Sequence, residues 1–257
     1  MSGKRVGGLR TKEGFSTIIL AAGKGKRMKS ALAKVLHPVG GVPMLTHSLA
    51  AARAAGSQRI VVVVGHQGER IRALYHADDL LFAEQREQLG TGHAVLQARE
   101  FFWDYEGAII ILCGDVPLIR HDTIRALYDR HRLSGAAVTV MTTLPPDPAG
   151  YGRVVKAEDG GILRIVEERD ATAEEKSICE INTGIYCVDG GFLFMAVAGL
   201  GKRNAQKEYY LTDIVERASK SGLQVASFRA ADPMEVMGIN TPEELAMAGR
   251  RMEIRCL

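Results

Sequence analysis

Short continuous apolar runs alternate along the chain with segments in which apolar residues recur every third or fourth position. The runs STIIL (16–20), RIVVVV (59–64), LLFA (80–83) and AIIILC (108–113) show no polar alternation, the pattern of parallel strands covered on both faces. Between them, PMLTHSLAAARAAG carries Pro43 at its start and Gly56 at its end, the asymmetry of a helix. GHAVLQAREFF and DTIRALYDRHRLSG read the same way, the second with Asp122 as its N-cap. This alternation predicts an α/β fold of Rossmann-like type, with a mainly parallel central sheet flanked by helices.

After Ala137 the strands shorten and turns multiply, in YGRVVKAEDGGILRIVEE and EINTGIYCVDGG. The sheet is therefore expected to become mixed. Residues 142–204 read as a substrate-covering lobe on the same sheet. Helix YLTDIVERASKSG, strand VASF and a last helix opened by Thr241 and Pro242 follow. No repeat with a period of roughly 20–50 residues is visible, which excludes a solenoid. The expected organisation is a flexible basic tail over residues 1–14 and one domain over residues 15–257.

Composition narrows the function classes. With 46% hydrophobic and 25% charged residues among 257, the chain has the make-up of a folded globular domain. The net charge is only +3, and Lys4, Arg5, Arg10 and Lys12 supply much of it, so the body lacks the basic stripe of a nucleic-acid surface. The longest apolar stretches are about six residues, against the ~20 a membrane helix needs. Cys113, Cys179, Cys187 and Cys256 form no C-x-x-C pair and no zinc-like spacing with histidine, so a reduced cytoplasmic protein is expected.

The candidate chemistry sits where strands end. In open α/β sheets ligands bind at the carboxyl ends of strands, and LAAGKGKRM leaves the first strand there. Ala21, Ala22, Gly23 and Gly25 let backbone N–H groups approach an anion, while Lys24, Lys26 and Arg27 can neutralise it. The loop is neither G-x-G-x-x-G, since Met28 stands at the last glycine position, nor a Walker loop. It reads as a phosphate cradle, with a solvated surface turn as the competing account. Lys34 in AKVLHPVGG is near enough in sequence to add a point charge.

Asp115 in ILCGDVP projects from the end of the most apolar strand, where a carboxylate suits a cation such as Mg²⁺. Asn240 in MGINTPEEL is the candidate second ligand, although an Asn before Thr-Pro also serves as an ordinary helix-entry residue, which the sequence alone favours. EQLGTGHA (87–94) is a second glycine-bearing turn running into a helix. Gln85, just before it, carries the donor and acceptor that meet a pyrimidine edge, with simple solvent exposure as the alternative.

Taken in order, LAAGKGKRM, AKVLH, EQLGTGHA, CGDVPL, GYGRVV, IVEERDAT, EINTGIY, EYYLTDIV and GIN resemble the uridylyltransferase domain of the bacterial N-acetylglucosamine-1-phosphate uridylyltransferases, over residues 16–251. The resemblance implies a GT-A-like nucleotidyltransferase that joins UTP to N-acetylglucosamine 1-phosphate, giving UDP-N-acetylglucosamine and pyrophosphate with Mg²⁺. It implies catalytic roles for Arg27, Lys34 and Asp115 and nucleotide contacts from Leu20, Ala21, Ala22, Gly23, Lys34, Gln85, Gly90 and Thr91. Gly114, Gly152, Glu167, Asn182, Tyr210 and Thr212 would meet the sugar, and Asp115 and Asn240 would hold the metal. A different sugar or alditol phosphate is the nearest rival substrate, and a non-catalytic nucleotide-sugar binder the rival of another class.

The chain departs from the family pattern at four positions. Lys26 replaces the threonine of G-x-G-T-R-M, Ala33 the proline of L-P-K-V-L, Cys113 a frequent tyrosine, and Lys207 a glycine that often precedes EYY. Members of the family continue into a left-handed β-helix that transfers acetyl groups and builds a trimer. Acetyltransferase activity is therefore not expected of these 257 residues, and the oligomeric state is left open.

Overall fold

The computed structural model describes residues 14–103 and 105–255; apart from Gly14, the expected basic tail lies outside the described residues, as does Cys256. β1 (Phe15–Ala21) leads through 3-10 turns at Lys26–Met28 and Lys34–Leu36 to a small hairpin, β2 (Pro38–Val39) and β3 (Val42–Pro43). α1 (Met44–Ala54), β4 (Ile60–Val64), α2 (Gly68–Leu74), β5 (Leu80–Glu84), α3 (Thr91–Gln97), β6 (Ala108–Cys113) and α4 (His121–Ser134) complete the alternating half. The rest comprises β7 (Val138–Thr143), β8 (Arg153–Lys156), β9 (Ile162–Val166), α5 (Ala173–Lys176), β10 (Ile181–Asp189), α6 (Gly190–Ala198), α7 (Asp213–Lys220), β11 (Val225–Arg229), α8 (Pro233–Val236) and α9 (Pro242–Arg255).

The main sheet runs β11-β7-β10-β6-β1-β4-β5. Its members pair in parallel except β10, which is antiparallel to both β6 and β7. The apolar runs bury both faces of their strands: Val62 and Val64 join a core with Leu45, Leu49, Ile124 and Leu127, while Val61 and Val63 join another with Val95, Leu193 and Ile214. Because β10 runs backwards, it begins at the edge where β1, β4 and β6 end. There Ile181 pairs with Arg153, so the antiparallel β8–β9 hairpin is attached at that same edge.

Two helix readings change. Asp122 is not an N-cap: Arg120 holds that position with extended backbone, and Asp122 lies inside the first turn, where its charge still suits the positive helix end. GHAVLQAREFF is not one helix, since α3 closes at Gln97 and a 3-10 turn, Arg99–Phe102, follows. No helix among the described residues is long and apolar enough to cross a membrane.

Candidate active site

The carboxyl-end edge gathers chemistry from distant parts of the sequence. Leu20 lies beside Cys113 in the register of β1 and β6, and Val64 beside Glu84 in that of β4 and β5. The cradle loop, Asp115 and Gln85 therefore emerge side by side. A cavity of about 580 Å³ opens between them, lined by Leu20 to Lys26, Lys34, Gln85, Gln88, Gly90, Thr91, Cys113, Asp115 and Glu208. That volume lies within the range of roughly 300–1,000 Å³ usual for small-molecule pockets. Lys24 and Lys26 line it, whereas Arg27 is exposed outside the lining and close to Tyr151, whose phenol pKa burial and Glu244 raise and Arg27 only partly offsets.

Lys34, Asp115 and Asn240 come together. The Lys34 ammonium donates to Asp115 Oδ2 and, at 3.0 Å, to Asn240 Oδ1. Gly25 makes this possible: it sits at φ +61°, and a Cβ there would lie 2.5 Å from Lys34 Cβ. The Asn240 side chain is not spent on capping α9, because Thr241 and Glu244 cap it reciprocally, Thr241 Oγ1 accepting from Glu244 N–H and Glu244 Oε2 from Thr241 N–H; Asn240 Nδ2 donates to Gly238 O, which leaves Oδ1 turned to Lys34. The helix-entry role belongs to Thr241. Asp115 and Asn240 thus aim two hard oxygen donors at one positively charged nitrogen, a donor set that suits a divalent cation finishing its shell with water and phosphate oxygens. Among the described residues no cluster of three or more His, Cys, Asp or Glu offers an alternative.

Gln85 is buried, not solvent-exposed, at 3% accessibility. Its Nε2 donates to the Gly90 carbonyl at 3.0 Å and contacts His93 Nδ1 at 3.1 Å. The turn holding Gly90 is knitted to a strand-like stretch far along the chain: Tyr209 N–H donates to Leu89 O and Gly92 N–H to Tyr209 O. At Gly90, with φ +113°, a Cβ would come within 2.6 Å of Tyr209 O, so only glycine fits.

A second cavity of about 190 Å³ adjoins the first and shares Leu20, Thr91 and Cys113 with it. Gly152, Glu167, Asn182 and Thr212 line it. Thr212 Oγ1 donates to Glu167 Oε1 at 3.1 Å, and burial raises the Glu167 pKa above the usual carboxylate range, with Asp213, Asp170 and Glu208 adding to the rise. Asn182 Oδ1 accepts from Gly184 N–H. Burial also pushes the Cys113 thiol up to about 12, so it lines both cavities as a neutral group. Tyr210 stands apart, its hydroxyl bonded to Asp170 and Gln206 in a neighbouring cavity. Gly114 lines neither cavity; a Cβ there would crowd Leu20 O and Val35.

Sequence reasoning passed over Arg153. It is almost fully buried at 2% accessibility, paired with Glu168 at 2.8 Å and donating to the Tyr151 carbonyl. It thereby ties β8, which begins directly after Gly152, to the segment after β9 that carries Glu167 and Glu168. The signal was present in GYGR, since an arginine entering an apolar hairpin requires a partner.

A mainly parallel sheet carrying a lysine-rich cradle that includes a carboxylate, with a second cavity adjoining it, is the architecture of a nucleotide-handling transferase of GT-A-like fold. The family model for the MobA-like NTP transferase domain matches residues 17–170, and the chain belongs to that family. Three relatives are each named "Bifunctional protein GlmU". That of Geobacter metallireducens is 53% identical over 237 residues, 92% of this chain and 50% of the relative. That of Geobacter sulfurreducens is 51% identical, covering 95% and 51%, and that of Desulfotalea psychrophila 48% identical, covering 94% and 71%. The chain spans about half the length of the two Geobacter relatives.

Proposed function

We propose that the chain transfers UMP from UTP to N-acetylglucosamine 1-phosphate, releasing pyrophosphate and forming UDP-N-acetylglucosamine. The observation that carries this reading is the Lys34, Asp115 and Asn240 constellation beside two joined cavities, one cationic and one polar. Half-length identity near 50% to proteins named GlmU supports the choice of substrates. UTP would take the larger cavity, with its base toward Gln85 and Gly90 and its phosphates along Leu20 to Gly23, where Lys24, Lys26, Lys34 and, from the rim, Arg27 provide positive charge. The amino sugar would take the smaller one against Gly152, Glu167, Asn182 and Thr212; Gly152 and Glu167 flank the β8–β9 hairpin, which we assign as the core of the substrate-covering lobe. The unpaired thiols of Cys113, Cys179 and Cys187 support a reducing, cytoplasmic setting.

In this arrangement an oxygen of the sugar phosphate attacks the α-phosphorus of UTP. The bond from that phosphorus to the oxygen bridging it to the β-phosphate breaks, and pyrophosphate leaves with the electron pair. The attacking oxygen is already anionic, so the residues need only align the partners and offset charge. Mg²⁺, held by Asp115 and Asn240, would neutralise phosphate charge when bound. Losing one preorganised electrostatic group typically costs about 3 kcal/mol, or 10² to 10³ in rate. Asp115→Asn is accordingly expected to lower pyrophosphate release by at least about a hundredfold while UTP still binds; release near the wild-type rate would overturn the assignment.

A further inference from the structure

We propose that His93 is a positioning residue for nucleotide choice: it holds the Gln85 amide so that only an acceptor faces the base, and this selects a pyrimidine with an N–H at N3. The inference rests on the proposed function for the location of the base and adds a residue for which neither the cleft lining nor the motif resemblance gave a role.

The argument is a count of hydrogens. The Gln85 amide has two N–H donors and one carbonyl acceptor. The Gly90 carbonyl, 3.0 Å from Nε2, accepts one hydrogen and thereby fixes which end of the amide is nitrogen. The other hydrogen meets His93 Nδ1 at 3.1 Å, so Nδ1 is the acceptor and the proton of the neutral ring is on Nε2. Gln97 Nε2 lies 3.1 Å from that nitrogen, one helical turn on, and also donates to the His93 carbonyl at 3.1 Å. With the ring proton on Nε2, the Gln97 amide flips so that its oxygen accepts there; it gives up its own bond to the His93 carbonyl, which keeps its place in the hydrogen-bonded ladder of α3. Both Gln85 donors are then spent, and Oε1 has no hydrogen-bond partner among the described residues in a side chain that lines the larger cavity.

An isolated acceptor in a buried wall discriminates. Uracil offers it N3–H, whereas cytosine presents an unprotonated N3, so two lone pairs would face each other. A site built to pair one group rejects an analogue that leaves it unpaired by much more than packing differences do. Without the Nδ1 acceptor, the amide would be pinned on one side only and could turn its N–H toward the base. The His93 ring also stacks near Tyr209, with centroids 6.2 Å apart, so packing and hydrogen bonding need separate variants.

His93→Phe keeps a ring and removes the acceptor. His93→Asn removes the ring and places Oδ1 where Nδ1 stood. The full chain and both variants would be compared with UTP and CTP, by pyrophosphate release with N-acetylglucosamine 1-phosphate and, separately, by calorimetric binding of each nucleotide. The expected result is a UTP-over-CTP preference that falls at least about tenfold in His93→Phe and stays within about threefold of wild type in His93→Asn. An unchanged preference in His93→Phe, or an equal fall in both variants, would overturn the inference, as would a wild-type chain that binds the two nucleotides alike. Wild-type chain that prefers UTP in binding but releases no pyrophosphate would instead remove the proposed activity, while the binding ratios of the variants still decide the role of His93.

Discussion

At the scale of residues, two departures from the family pattern find physical accounts. Lys207 sits at φ +55°, a left-handed conformation that costs a side-chain-bearing residue about 1–2 kcal/mol and glycine little. Lys207→Gly is expected to raise stability by roughly 0.5–1 kcal/mol after the larger unfolded-state entropy of glycine is allowed for, read as a higher urea midpoint; an unchanged or lower midpoint would contradict the strain. Ala33, in place of proline, keeps a proline-like φ of −54° and uses the N–H that proline lacks to donate to Gln67 Oε1 at 3.0 Å. Much of the candidate site was legible from residues in combination, because glycines joined to three cations at one strand end and an aspartate at another point to the same sheet edge, although each alone also suits a solvated turn. Gln85 and Asn240 were not, for different reasons. The burial of Gln85 depends on residues near Tyr209, far along the chain, and the role of Asn240 depends on which of two adjacent polar residues caps α9.

At the scale of elements, the parallel strands were readable because continuous apolar runs admit few alternatives, and β6 spans the run AIIILC, Ala108–Cys113. Helix ends were less so, since Arg120 and Asp122 compete for one cap and the structure seats Arg120 by its N–H bond to Glu235. The reversed β10 between β6 and β7 could be expected only as mixing. Its direction depends on pairing partners that local pattern does not encode. The packing of α4 on β7 carries a titration. His131 is buried against Thr139 Oγ1 at 2.9 Å, and burial lowers its pKa from 6.5 to about 4. Between those values the unfolded chain takes up a proton that the folded chain refuses, so stability falls as pH falls from about 6.5 toward 4, by an amount on the order of 3 kcal/mol. Equilibrium unfolding across that window is expected to show a shallower pH dependence for His131→Gln than for wild type. Equal slopes would show that His131 is not the titrating group.

At the scale of the whole molecule, the two joined cavities are products of topology. Parallel β1, β4, β5 and β6 deliver the cradle, Gln85 and Asp115 to one edge, and antiparallel β10 starts there, bringing Asn182 to the smaller cavity and attaching the β8–β9 hairpin, whose flanking residues Gly152 and Glu167 line it. A chain that spans about half of its Geobacter relatives thus carries both cavities to which the proposed two-substrate transfer is assigned. The measurement that tests the central claim most directly is chromatographic identification of the products formed from UTP and N-acetylglucosamine 1-phosphate with Mg²⁺, with glucose 1-phosphate run in parallel. The account predicts UDP-N-acetylglucosamine and pyrophosphate in equal amounts, and a much slower reaction with the sugar lacking the acetamido group. Folded protein that binds UTP yet forms no UDP-N-acetylglucosamine would contradict it.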